Sequence, residues 1–141
     1  MAQITEDYIS YETAKLLKEK GFEYNPDESY WLIDADNKMY WISRIGAYDY
    51  VDAPTESFQR PKNGYRLMTQ AMAMKWLREV HNYSISICLD SYVEPYDNEY
   101  YILIRRKKDR FEEISPCEQV YFKTYEEACE AAIKYCLEKL I

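Results

Sequence analysis

The chain has 141 residues and a formal net charge of −7, from 18 basic and 25 acidic side chains. Hydrophobic residues make up 48% of the sequence, which is typical of a globular protein, and the length predicts a single domain over residues 1–141. Three isolated glycines and one histidine exclude glycine-rich phosphate loops and any site that needs two imidazoles. The acidic balance disfavours broad binding to nucleic acid or anionic membranes.

The cysteine pattern and the N-terminal sequence predict a compartment. Cys88, Cys117, Cys129 and Cys136 form no C-x-x-C pair and are typical of buried free thiols in a reducing environment. The first residues lack the basic and apolar regions of a signal peptide, and no apolar run reaches the roughly 20 residues of a membrane span. We therefore expect a cytoplasmic protein without membrane contact, cofactor or bound metal.

Hydrophobic periodicity, turn residues and helix caps together predict the secondary structure. In chain order, the pattern predicts a helix at 11–20, strands at 30–34 and 39–45, a loop at 46–68, a helix at 70–81, strands at 83–93 and 100–105, a further strand at 118–122, and a helix from 125 to the C-terminus. A loop as long as 46–68 is unusual in a compact domain, which indicates that it carries a function or contains a short element.

The helix boundaries are the clearest local signals. Ser10 and Thr69 precede the first two helices as N-caps, and Gly21 ends the first helix. Thr124 and Glu127 form a capping box at the start of the last helix. The apolar positions of the helix at 70–81 cover most of its circumference, which predicts packing on more than one side.

The order α-β-β-α-β-β-(β)-α is dominated by hairpins. It predicts an α+β fold with an antiparallel sheet and three helices. Residues 15–19 and 75–79 have similar sequences, Lys-Leu-Leu-Lys-Glu and Lys-Trp-Leu-Arg-Glu. This similarity is consistent with two stacked α-β-β units, although any amphipathic helix can drift into such a pattern.

Three segments carry a resemblance to a known group of proteins: YISYETAKLLKEKGF at 8–22, TQAMAMKWLREVHN at 69–82 and YEEACEAAIKYCLEKLI at 125–141. In these segments the chain resembles small uncharacterised proteins of gut anaerobic bacteria and of their phages or mobile elements. Met68 stands where those proteins usually have proline. The resemblance implies a small stand-alone domain of phage or mobile-element origin and implies no activity.

A cluster of five basic residues in six provides one candidate site. It consists of Arg105, Arg106, Lys107, Lys108 and Arg110. With the neighbouring tyrosines 100 and 101, these residues could contact a phosphate backbone while the aromatic rings stack on bases. Glu112 and Glu113 follow directly and weaken the positive field, so a solvated hairpin end is the favoured interpretation.

Aromatic residues make up 16% of the sequence, and the first hairpin concentrates them on both of its faces. Strand alternation places Tyr30 and Leu32 on one face and Trp31 and Ile33 on the other. The candidate interface residues are Trp31, Tyr40, Trp41, Tyr48 and Tyr50. Either the second face is a docking surface, or residues 46–68 fold over it.

These observations predict a non-catalytic module that binds a protein partner or itself. The first alternative is a nucleic-acid binder that uses the basic residues at 105–110. The second alternative is a small enzyme with carboxylates such as Asp49 and Asp52 in the long loop, although no pocket or partner for them is apparent in the sequence.

Overall fold

A computed structural model of the chain describes residues 6–25, 28–45, 48–51, 64–90, 99–107, 111–113 and 120–141, with the backbone alone at 43–45, 48–51 and 111–113. The chain divides into two compact units: a first unit of Tyr8–Met68, and a second unit of Met1–Asp7 together with Thr69–Ile141. Over the described residues, three helices and two antiparallel sheets confirm the predicted α+β class. The single domain and the stacking of two α-β-β units stay predictions.

The first unit begins with α1 (Tyr11–Glu19). Its start is fixed by the Ser10 hydroxyl, which accepts a hydrogen bond from the Thr13 amide at 3.2 Å. Its end is a Schellman turn, because Gly21 has φ +92° and the Phe22 amide donates to the Leu17 carbonyl at 3.0 Å. Both predicted boundaries of this helix are confirmed.

A four-stranded sheet follows α1 in the order β3-β2-β1-β4. Its strands are β1 (Tyr30–Ile33), β2 (Met39–Ile45), β3 (Tyr48–Val51) and β4 (Tyr65–Leu67), all paired antiparallel. Two of these strands lie within 46–68, which agrees with the prediction that this segment contains a short element. They extend the sheet on its two edges by hydrogen bonding beside the hairpin.

Helix α1 packs on β4, on one face of this sheet. The Tyr11 and Tyr65 rings lie 5.4 Å apart, and the Lys18 ammonium lies 5.6 Å from the centre of the Tyr65 ring. Leu67 lies on the same strand face as Tyr65 by alternation and is buried. The helix therefore covers the β4 side of this face.

The opposite face of the same sheet holds a buried cluster of Tyr30, Leu32 and Ile42. Arg66 places its guanidinium carbon 3.7 Å from the Tyr30 ring centre and 5.0 Å from that of Tyr24. The Tyr24 hydroxyl donates to the Arg66 carbonyl at 3.2 Å, and burial raises the pKa of this tyrosine to about 12 despite the nearby arginine charge. These contacts hold residues 22–25 close to this face of the sheet.

The second unit contains α2 (Gln70–His81), β5 (Tyr83–Asp90), β6 (Glu99–Lys107), β7 (Phe111–Glu113) and α3 (Tyr125–Tyr135). The three strands form one antiparallel sheet in the order β5-β6-β7. Both helices contact β5, and α3 also contacts β6. The fifth predicted strand is wrong in position, because the third strand of this sheet is β7 at Phe111–Glu113. In the predicted segment 118–122, Phe122 forms an isolated bridge with Tyr100. Residues 114–119 lie outside the described residues.

Helix α3 and the turn that follows it provide a large part of the core of the second unit, with alanine or cysteine at four of the buried positions. Its buried positions are Ala128, Cys129, Ala132 and Ile133, followed by Cys136 and Leu137 in a π-helical turn at Cys136–Leu140. Thr124 caps the helix by accepting from the Glu127 amide at 3.1 Å, as predicted. Tyr125 on α3 and Val80 on α2 are apolar positions that the pattern assigns to the buried faces of these helices, and the structure corrects this, because both are exposed.

A hydrogen-bonded relay connects the sheet of the second unit to the end of the π-helical turn. Arg106 Nη2 donates to the Tyr83 hydroxyl at 2.7 Å, and that hydroxyl donates to the Leu140 carbonyl at 3.2 Å. The last carbonyls of a helix lack partners within it, so the phenol satisfies an acceptor that would otherwise need water. Tyr83 is buried, which makes this relay part of the core.

Replacing Tyr83→Phe is expected to lower the free energy of unfolding by about 1–3 kcal/mol, because it leaves Arg106 and the Leu140 carbonyl without their partner. Urea denaturation followed by circular dichroism measures this loss. Tyr8→Phe is the matched control, since the Tyr8 ring is exposed, and it should change stability by less than about 0.5 kcal/mol. Equal effects of the two substitutions would contradict the structural role of the relay.

Candidate functional site

The two tryptophans of the first hairpin lie side by side. Trp31 and Trp41 are register partners across β1 and β2, and their rings lie 5.2 Å apart at an angle of 59°. Both are half-buried, and Met39, on the same strand face, is 41% exposed. We call Trp31, Met39 and Trp41 the tryptophan patch. It lies on the same face of the sheet that α1 contacts at β4. The alternative that residues 46–68 fold over this face stays a prediction, because 46–47 and 52–63 lie outside the described residues.

The third candidate residue of the hairpin, Tyr40, is not part of this patch. Its register partner is Leu32, so it lies on the opposite face of the sheet. The Tyr40 hydroxyl donates to Asp34 Oδ2 at 3.1 Å, and the Lys38 ammonium lies 5.4 Å from the centre of the ring. Tyr40 therefore supports the turn between β1 and β2, whereas the sequence predicted an interface role.

Tyr48 and Tyr50 occupy β3, next to β2. The register pairs them with Ile45 and Ser43. Since partners across a ladder share a face, these positions belong to the same face as Trp31 and Trp41. The backbone thus brings four of the five predicted interface positions to one face of the sheet.

The structure gives the members of the basic cluster different surroundings, because Arg105, Arg106 and Lys107 belong to β6 and pair with β7. Arg106 is held by Tyr83, as described above, and Arg105 and Arg106 face Glu113 and Glu112 in the register of β7. Arg105 and Lys107 are exposed, and Lys108 and Arg110 lie outside the described residues. Residues of opposite charge at paired positions agree with the favoured interpretation of a hairpin end, and the nucleic-acid alternative stays a prediction.

A groove between α2 and α3 encloses about 480 Å³ in the second unit. One wall is a single helical face of α2, because Ala71, Met74, Lys75 and Arg78 are spaced i, i+3, i+4 and i+7. The other wall is formed by Tyr125 and Cys129, one turn apart on α3, and Glu6 and Asp7 line the end nearest the start of α2. We call this cavity the α2–α3 groove. Sequence reasoning missed it.

The Cys129 thiol at this groove is buried, and its pKa is raised. Burial raises the pKa of Cys129, and the carboxylates of Glu126 and Asp7 act in the same direction against a hydrogen bond from the Tyr125 hydroxyl. The thiolate is the form that attacks electrophiles, so a raised pKa lowers the reactive fraction of this thiol. Burial alone raises the pKa of Cys136 to about 12.

The enzyme alternative stays a prediction. Asp49 lies in β3 opposite Arg44, and Asp52 lies outside the described residues. His81 ends α2 with its ring 4.6 Å from that of Trp76. Over the described part of the chain, no group of three metal-binding side chains lies close enough to hold an ion, and no helix has the length and apolar character to cross a membrane.

Comparison with protein-family models, with curated proteins and with solved structures found no match to this chain. The resemblance to proteins of gut anaerobes and their phages therefore stays a prediction.

Among the three cysteines that the structure describes, alkylation of the native protein with iodoacetamide is expected to label Cys88 first, because it is half-buried on β5 whereas Cys129 and Cys136 are buried. A rise of the Cys136 pKa from 9.0 to about 12 lowers its thiolate fraction about a thousandfold at neutral pH. Peptide mass spectrometry measures each rate, and labelling in urea is the control. Labelling of Cys136 as fast as Cys88 in the native state would contradict the burial of this thiol.

Proposed function

We propose that the chain is a non-catalytic binding module that docks a partner protein on the tryptophan patch. The observation that carries this proposal is the pair of half-buried tryptophans in contact beside the exposed Met39 on one sheet face. Tryptophan contributes more binding energy than most residues at interfaces, because its large rigid surface loses little entropy on binding. Tyr48 and Tyr50 at register positions on the same face would widen the patch.

Charge indicates what kind of partner this surface fits. The net charge of −7 disfavours association with a second acidic copy. In the turn beside the patch, the Lys38 backbone N–H, which donates to Asp34 Oδ1 at 2.9 Å, lowers the pKa of Asp34, with smaller contributions from Tyr40 and Asp36. Asp34 is therefore ionised at neutral pH, and Asp36 is exposed next to it. The proposed partner is an apolar segment that carries lysine or arginine.

Tryptophan rings themselves favour such a partner. A lysine or arginine over the face of a tryptophan is attracted by the ring quadrupole, and tryptophan is the strongest of the aromatic acceptors. The patch thus offers apolar area, ring faces for a cation, and, in the adjoining turn, the carboxylates of Asp34 and Asp36 against the one ammonium of Lys38. A bound basic segment would use all three.

Selection from a displayed library of random peptides tests this proposal. Enriched peptides are expected to combine lysine or arginine with large apolar residues, and to bind the wild-type protein in a salt-dependent manner. Met39→Ser and Trp41→Ala should each weaken binding of the synthesised peptides about tenfold or more. Fluorescence titration measures the affinities, and thermal melts establish that each variant is folded.

Met72→Ser is the matched control, since Met72 is 50% exposed on α2 and lies outside the patch. Unchanged binding by Met39→Ser, or enrichment of acidic peptides, would overturn the proposal. Light scattering adds a further outcome: a dimer that Met39→Ser dissociates would replace the partner protein with a second copy of the chain.

A further inference from the structure

We propose that the α2–α3 groove binds a small zwitterion of about the length of a dipeptide, with a free ammonium group and a free carboxylate. This site lies in the second unit and is independent of the tryptophan patch. Its volume of about 480 Å³ lies within the range of roughly 300–1,000 Å³ that is usual for small-molecule sites. The groove has charges of opposite sign at its two ends and apolar walls between them.

The negative end is formed by Glu6 and Asp7. The Gln70 amide donates to the Asp7 carbonyl at 2.9 Å, which fixes this segment at the first residue of α2. Among the described residues, Glu6 makes no hydrogen bond or ion pair. Two carboxylates at one end of a groove attract an ammonium group.

The positive end is formed by Lys75 and Arg78, which are neighbours on one face of α2. Lys75 has no partner in the part of the chain that the structure describes. Arg78 pairs with Glu79 through Nε at 3.4 Å on the exposed surface, which leaves the terminal N–H groups of its guanidinium for a ligand. These cations suit a carboxylate.

The distance between the two ends sets the length of the ligand. Lys75 lies five residues beyond Gln70, or roughly 8 Å along the helix axis at the usual rise per residue. Side chains on a helix lean toward its N-terminus, so the ammonium of Lys75 lies closer to the acidic end than its Cα. Two extended residues span at most about 7 Å. A dipeptide therefore reaches from one end to the other, whereas the two charges of a single amino acid are too close together.

The walls between the charged ends are suited to the apolar part of such a ligand. Ala71 and Met74 of α2 face Tyr125 and Cys129 of α3. The Gln70 side chain joins the two helices at this level, because Nε2 donates to the Glu126 carbonyl at 3.0 Å. The walls are therefore held apart at a fixed width, which pre-forms the site and reduces the entropy cost of binding.

Calorimetry with three related compounds tests the proposal. Alanyl-leucine with both termini free is expected to bind with a Kd below about 1 mM. Its N-acetyl form, which lacks the ammonium, and its C-terminal amide, which lacks the carboxylate, should each bind at least about tenfold more weakly. Asp7→Asn and Arg78→Gln should weaken binding of the free dipeptide by a similar factor.

Glu19→Gln and Lys15→Gln are the charge-matched controls, because both residues are exposed in the first unit, and they should leave the affinity unchanged. Equal binding of the acetylated form would show an anion site, and equal binding of the amide would show a cation site. Either result overturns the zwitterion proposal, as does the absence of binding tighter than about 1 mM by alanyl-leucine. None of these results bears on the tryptophan patch.

Discussion

The pairing of β1 with β2 is the constraint on which the surface of the first unit depends. Side chains of a strand alternate with a period of two, so a slip by one residue would exchange the two faces of the hairpin. Asp34 prevents such a slip, because Oδ1 accepts from the amides of Asp36 and Lys38 at 3.0 and 2.9 Å. This turn places Trp31 opposite Trp41, and with them the apolar patch.

The second unit reserves some of its polar groups for the fold itself. The sequence alone assigns Arg106 to a positively charged surface, but its guanidinium donates a hydrogen bond to the Tyr83 hydroxyl inside the unit. Gln70 is buried and uses its amide to join α2 with α3. Buried polar groups need hydrogen-bond partners, so side chains that provide those partners cannot also bind a ligand. Lys75 and Arg78, in contrast, lie at the open side of a groove.

The sequence was sufficient to predict the helices and strands whose signals lie within the element itself. Helix α2 and helix α3 follow from apolar spacing and a threonine cap, and β1 with β2 follows from alternation about a turn rich in aspartate. Strands β4 and β7 have three residues each, too few for a period to be visible, and they exist because a neighbouring strand pairs with them. Their positions are properties of the tertiary structure.

The two candidate sites also differ in how far they could be predicted, because one depends on local alternation and the other on the packing of two helices. Alternation alone separates Tyr40 from Trp41, so the composition of the tryptophan patch could have been read more closely from the sequence. The spacing of Ala71, Met74, Lys75 and Arg78 shows one helix face. No pattern indicates that Tyr125 and Cys129 would form the opposite wall, because that requires the packing of α3 against α2.

The junction between α2 and β5 consists of one residue, Asn82, in the left-handed conformation at φ +63°. Asparagine tolerates this backbone better than most residues other than glycine. The Asn82 carbonyl also accepts from the Lys107 amide at 2.8 Å, which ties the junction to β6. The helix and the sheet are therefore joined by a single residue that is hydrogen-bonded to the neighbouring strand. A displacement of the C-terminal end of α2 would move β5 and β6 with it.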